Sequence, residues 1–166
     1  MIPHVAERDF RRAMGTFATG VGVVTCVAAG RDHAMTANAI TSVSLTPPLI
    51  LVAVQRTTRF WEAVSQQSHW AVSILAEEAE EHARWLATSG RPLAGQLDRV
   101  PHRRTDRGIA LLEQSLAWLE CRTEQLVPAG DHDILIGAVE ALTMGATDRE
   151  HSALVYWRSQ YRRLAP

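Results

Sequence analysis

The chain has 166 residues, 46% of them hydrophobic, enough for one sizeable core and a single domain over 1–166. Its 17 Lys and Arg against 18 Asp and Glu leave a formal charge of -1, which excludes whole-chain attraction to nucleic acid or to a membrane surface. No uninterrupted apolar run approaches the ~20 residues that span a bilayer, so small molecules or proteins are the expected partners.

In chain order, Phe10, Ala13, Met14 and Phe17 recur at helical spacing, with Glu7, Arg8, Arg11 and Arg12 outward, and the pattern stops at Gly20. Gly15 and Gly20 have P-loop spacing, but Val21 and Gly22 stand where Lys and Ser/Thr must be, and Thr25 occupies the third-glycine place of a dinucleotide fingerprint. Both nucleotide motifs therefore fail. Val21 to Ala28 is rich in β-branched residues and ends at Gly30-Arg31-Asp32, which predicts a strand and a tight turn. Ala34 to Leu45 is expected to return as its partner strand. Further strands are predicted over Leu49–Val54, His69–Leu75, Leu116–Leu126, Asp133–Thr143 and Ala153–Tyr161. Helical periodicity marks Thr58–Gln67 and Ala76–Ala87, the latter with Glu80 and Arg84 as a favourable i, i+4 pair. Arg91 to Arg107 is irregular and carries the basic cluster His102-Arg103-Arg104, either a solvated loop or a flap over an anionic ligand.

Cys26 and Cys121 lie on separate apolar segments without CxxC spacing, and the N-terminus lacks the basic-then-apolar layout of a signal peptide. A reduced, cytoplasmic protein is expected. The histidines show neither HExxH nor paired ligand spacing, so no metal site is expected.

The chemically richest stretch runs from Ala34 to Arg59. Thr36, Asn38, Thr41, Ser42 and Ser44 place small hydroxyl and amide groups on extended backbone, and Pro47-Pro48 leads into the apolar run Leu49 to Val54. Gln55, Arg56, Thr57, Thr58 and Arg59 then precede a helix start, where free N–H groups attract anions. The same residues can also be read as wet-face strand formers and an ordinary N-cap. A second cluster, Gly130-Asp131-His132, is a turn entering a strand that contains Gly137, where a bulge or a close approach is implied. Alternation along the last strand separates Tyr156 and Arg158 from Trp157 and Tyr161.

Met35-Thr36-Ala37-Asn38, Thr41-Ser42-Val43-Ser44-Leu45, Pro47-Pro48-Leu49 and Gly130-Asp131-His132 with Gly137 resemble the flavin reductase family, over about Phe10 to Tyr161. The resemblance implies a mainly β fold with flanking helices (α+β), an antiparallel split β-barrel of the FMN-binding type. It implies an NAD(P)H:flavin oxidoreductase that reduces FMN or FAD with NADH or NADPH and supplies reduced flavin to a flavin-dependent oxygenase component, working as a homodimer; a non-catalytic flavin-binding split-barrel protein is the alternative. Carried onto this chain, the flavin-binding residues are Thr36, Ala37, Asn38, Ala39, Ser42, Gln55, Arg56, Thr57, Thr58, Arg59, Trp85 and Tyr156, and His132 is the catalytic candidate on the nicotinamide side. Family members often have Ser-Phe where this chain has Ala39-Ile40, so a side-chain hydroxyl contact at 39 is lost, which a backbone N–H could replace. Trp85 stands near a family Phe.

Overall fold

The computed structural model describes residues 5–145 and 151–164. A seven-stranded antiparallel sheet dominates it, built from β2 (Gly22–Ala28), β3 (Arg31–Ala37), β4 (Ile40–Leu45), β5 (Pro48–Gln55), β6 (His69–Leu75), β9 (Ser115–Ala129) and β10 (His132–Met144). Across the sheet these strands stand in the order β3-β2-β6-β9-β10-β5-β4. The long β9–β10 hairpin is its spine. The consecutive apolar residues Ile134, Leu135 and Ile136 alternate between half-buried and buried along β10, and Gly130 at φ 67 closes the turn.

The predicted strand over 34–45 is two strands. The chain breaks at Asn38-Ala39, so β3 pairs with β2 while β4 turns back onto β5 at the opposite edge of the sheet. The predicted strand over 153–161 is likewise a small hairpin of β11 (Val155–Trp157) and β12 (Gln160–Arg162), turned by Arg158 and Ser159 at φ 48 and 61. Its register sets Tyr156 opposite Tyr161, ring centroids 5.3 Å apart, so the two tyrosines share a face. Strand β1 (Thr19–Gly20) pairs with β11.

Helix α1 (Glu7–Met14) is shorter than its apolar pattern, and none of its residues is buried. Phe10, Met14 and Phe17 are 58%, 52% and 68% exposed. Helix α2 (Arg59–Val64) packs Phe60, Ala63 and Val64 onto a core of Val24, Val52, Val54, Trp70 and Leu135. A 3-10 turn (Glu77–Ala79) leads into α3 (Glu80–Ala87), where Arg84 Nη2 lies 2.7 Å from Glu80 Oε1 as the spacing predicts. That helix buries Ala83 and Leu86 against Val21, Val23, Ala34, Leu75 and Leu154. Each fully buried valine or leucine among them stabilises the fold by about 1.5–3 kcal/mol. The cores thus seat α2 and α3 on either side of β3.

The segment 91–107 is neither a free flap nor a wholly solvated loop. Gln96, Leu97 and Val100 are buried, and β7 (His102–Arg104) pairs with β8 (Ala110–Leu112). Its basic cluster is held internally: Arg104 Nη1 bonds Asp32 Oδ1 at 2.8 Å, and Arg103 lies 4.3 Å over the Trp118 ring. Among the described residues no helix is long and apolar enough to cross a membrane.

Candidate functional site

Between β3, the end of β5 and the two seated helices lies a cavity of about 490 Å³. Its lining takes in His33 to Thr36 from β3, Gln55 and Thr57 to Phe60 from the β5–α2 junction, and Leu86 to Arg91 with Gln96 beyond α3. Five of the sequence-predicted residues line it: Thr36, Gln55, Thr57, Thr58 and Arg59.

Thr36 Oγ1 donates to the Ala83 carbonyl at 2.7 Å, which fixes the rotamer and leaves the oxygen's lone pairs available. Thr58 caps α2, its Oγ1 accepting from Trp61 N at 3.1 Å while donating to the Gln55 carbonyl at 2.7 Å. α2 has only six residues, and Thr58 takes one of its first-turn N–H groups, that of Trp61, so the helix start brings no full charge to an anion. Charge is supplied by guanidinium groups instead.

Arg59 Nη2 donates to the Arg91 carbonyl at 2.6 Å. The Arg91 head is held by carbonyls and an amide: Nη1 donates to Thr88 O at 3.1 Å, and Nη2 to Ala34 O and to Gln96 Oε1. Arg91 Nε is buried and makes no hydrogen bond within the protein. Burial, and then the Arg59 charge, push the Arg91 pKa down, because two cations share a partly desolvated pocket. Burial and then the Arg59 charge also push His33 down, against the opposing pull of Asp32, which favours the neutral imidazole. Two guanidinium groups with no carboxylate among their hydrogen-bond partners, over a hydroxyl-lined cavity, fit a phosphorylated ligand such as a flavin nucleotide.

Arg56 does not line this cavity. Its Nε bonds Asp133 Oδ1 at 2.5 Å, while Trp61 Nε1 donates to Asp133 Oδ2 at 2.7 Å. Burial pushes the Asp133 carboxyl up, but the bonds from Arg56 and Trp61 and the Arg56 charge together hold it below the usual carboxylate range. The triad ties β5, β10 and α2 together and so fixes where Gln55 and Arg59 stand.

The remaining predicted residues lie outside the lining. Ala37 is buried at the end of β3. Asn38 Nδ2 reaches Thr19 Oγ1 at 3.3 Å, and Ala39 accepts from Ala53 N at 3.1 Å. Ser42 is exposed on β4. Trp85 faces a separate hollow with His82 and Pro92, its Nε1 donating to Gln96 O at 2.8 Å. Tyr156 packs on the α3 core with Tyr161. His132 opens β10 directly opposite Gln55, so the two side chains share a face at the cavity end of β5. Its Nδ1 is 2.8 Å from Asp131 Oδ1. Sequence reasoning missed Arg91, His33 and Gln96, although Thr88-Ser89-Gly90-Arg91 repeats the hydroxyl-then-arginine pattern of 57–59.

Known proteins share this architecture. The reductase component of a flavin-dependent trigonelline monooxygenase from Acinetobacter baylyi is 37% identical over 155 residues, 93% of this chain and 48% of that protein. An NADH-dependent flavin reductase from Rhodococcus is 37% identical over 165 residues, covering 98% of this chain and 89% of that one. The solved NADH:FAD oxidoreductase of Streptomyces globisporus, in complex with NAD and FAD fragments, superposes with a TM-score of 0.89 at 34% identity over 98% of this chain and 97% of that chain. Against three curated relatives, the Acinetobacter protein among them, the chain spans only 48%, 42% and 57% of their length. The fold is the antiparallel split β-barrel of these flavin reductases, mainly β with flanking helices. With a match to the flavin reductase like domain that runs over residues 14–165, this chain belongs to that family.

Proposed function

We propose that the chain is an NAD(P)H-dependent flavin reductase, one domain over 1–166, that reduces FMN or FAD and passes the reduced flavin to a flavin-dependent oxygenase. The observation that carries the reading is the cavity in which Arg59 and Arg91 stand beside the hydroxyls of Thr36, Thr57 and Thr58. The names of its relatives support the same class of reaction.

When bound, the flavin supplies the redox chemistry, taking a hydride at N5 from the nicotinamide C4. No protein nucleophile is needed; the reacting atoms must be held about 3–3.5 Å apart with water excluded. In this reading Arg59 and Arg91 hold the phosphate, with Thr57 and Thr58 beside them. Thr36, Gln55 and the backbone at Ala37, Asn38 and Ala39 serve the ribityl chain and ring, and Ser42, Arg56, Trp85 and Tyr156 support the site from outside its lining. His132 acts on the nicotinamide side next to Gln55. The exposed row Phe10, Met14 and Phe17 supports burial against a second copy of the chain in a homodimer. The two free, buried cysteines support a cytoplasmic location.

Steady-state oxidation of NADH and NADPH with FMN, FAD and riboflavin in turn tests the class. Replacing Arg91 with Met should weaken FMN by about tenfold or more, the loss of one charge-assisted bond, and leave riboflavin within about threefold. Flavin binding without nicotinamide oxidation would instead identify a non-catalytic flavin-binding protein.

A further inference from the structure

The cavity is lined by two arginines and, among the described residues, by no aspartate or glutamate. Gln96 stands in that lining, delivered by a turn in which Gly95 has φ 69 and Asp98 N donates to the Gly95 carbonyl at 3.0 Å. Its side chain is 3% exposed with its residue, so both polar atoms of the carboxamide need partners inside the protein. Both have one. Nε2 donates to the Asp32 carbonyl, and Oε1 accepts from Arg91 Nη2 at 3.2 Å. The backbone carbonyl of Gln96 accepts from Trp85 Nε1 at 2.8 Å, which ties the turn to α3.

The other side of these contacts is β3, the edge strand of the sheet. An edge presents unpaired carbonyls on alternate residues. On β3 two of them, those of Asp32 and Ala34, are taken by the side chains of Gln96 and Arg91. The Asp32 carboxylate is held by Arg104, at 2.8 and 2.9 Å from its two Nη atoms, and not by Arg91.

An arginine only donates and a backbone carbonyl only accepts. A side chain that meets both at once must carry an acceptor and a donor, as a carboxamide does. An ionised glutamate of the same length accepts from Arg91, but it sets its second oxygen against the Asp32 carbonyl and matches the guanidinium charge inside the fold. Methionine fills a similar space and donates to nothing.

We infer that Gln96 is the positioning residue that makes this cavity select phosphorylated over unphosphorylated flavin: its carboxamide locks Arg91 onto the edge of β3 and leaves the guanidinium charge for the ligand's phosphate. This rests on the reading above, in which Arg91 meets that phosphate.

Titration of the full chain with FMN and with riboflavin gives the ratio of their dissociation constants, which a loss of packing that weakens both ligands alike does not move. Gln96→Glu should lower the preference for FMN by about tenfold or more, the scale of one charge-assisted bond. Gln96→Met should lower it by a smaller factor, about threefold, since Arg91 is loosened while its charge stays unmatched. In steady state the loss should appear in the KM for FMN more than in kcat. In an Arg91→Met background, Gln96→Glu should change the ratio by less than about twofold, because residue 96 acts through the guanidinium. Circular dichroism identifies which variants fold, and Gln96→Met alone carries the test if the glutamate does not. An unchanged ratio in the folded Gln96 variants overturns the proposal, as does a further loss from Gln96→Glu once Arg91 is gone. If Arg91→Met lowers the ratio and the Gln96 variants do not, this inference falls and the phosphate site stands. If Arg91→Met itself leaves the ratio at the wild-type value, the phosphate reading is refuted and this inference with it.

Discussion

Replacing Gly137 by alanine inserts a methyl group between β10 and the buried ring of Trp70. An ideal Cβ at 137 would stand 2.4 Å from Trp70 Cζ2, and 3.1 Å from both Trp70 Cε2 and Cys121 Cβ. Carbon atoms in good contact are about 3.5–4.0 Å apart, so the ring must retreat by about 1 Å. It has nowhere simple to go, because Trp70 is fully buried and its Nε1 donates to Thr123 Oγ1 at 3.2 Å. Overpacking of this kind costs about 1–3 kcal/mol, and loss of the indole bond about 1 kcal/mol more. The expected destabilisation is therefore about 2–4 kcal/mol, which for a domain of this size lowers Tm by roughly 5–15 °C. Urea unfolding followed by tryptophan fluorescence, with calorimetry alongside, reads it directly. A Trp70→Leu background removes the obstruction, so the added cost of Gly137→Ala there should fall by at least about 1 kcal/mol, the coupling expected of residues in contact. A Gly137→Ala protein within about 0.5 kcal/mol of wild type would refute the reasoning, since a surface position would behave that way.

Arg56→Ala should lower the urea midpoint, because the buried Asp133 carboxylate then keeps only its Trp61 bond, and should weaken FMN and riboflavin to the same degree; loss confined to FMN would show that Arg56 reaches the phosphate. Burial pushes the thiols of Cys26 and Cys121 up to about 12, so alkylation of the folded protein at neutral pH should be negligible, and Cys26→Ala and Cys121→Ser should keep turnover. Rapid labelling before unfolding would contradict that. His132→Ala should raise the KM for NADH or lower kcat while leaving the flavin Kd within about threefold, a difference under roughly 0.7 kcal/mol. Stopped-flow flavin bleaching at saturating flavin checks it, and an unchanged hydride rate and NADH dependence would reduce His132 to a turn residue.

The strands that periodicity located, β2, β5, β6, β9 and β10, are those whose apolar residues face the two cores. Where the boundaries went astray, the deciding interaction is not local. Nothing between Ala34 and Leu45 marks a break; the polar character is the same on both sides of Asn38. The strand divides because its first half hydrogen-bonds β2 and its second half β5, at opposite edges of one sheet. At 158–159 the turn is made by an arginine and a serine at positive φ, residues that advertise no such conformation. The apolar face of α1 was legible as a pattern, but its exposure in a single chain was not, because an apolar stripe on a helix does not say which surface covers it.

The candidate site shows the same division between composition and partnership. The hydroxyls at 36, 57 and 58 could be read directly, since small donors on extended backbone leave room for a ligand whatever surrounds them. Which arginine serves an anion could not. Arg56 stands in sequence beside those hydroxyls, yet Asp133, 77 positions away, takes its guanidinium as an ion pair. Arg91 lies in a stretch whose more conspicuous basic cluster is bound to Asp32 and stacked on Trp118. Its own contacts are neutral oxygens, from Ala34, Thr88 and Gln96. A guanidinium held by a carboxylate has its charge already matched inside the fold, whereas one oriented by carbonyls is fixed in place with its charge still to be balanced. That distinction, invisible along the chain, is why the proposed phosphate site rests on Arg91 and Arg59 and not on Arg56.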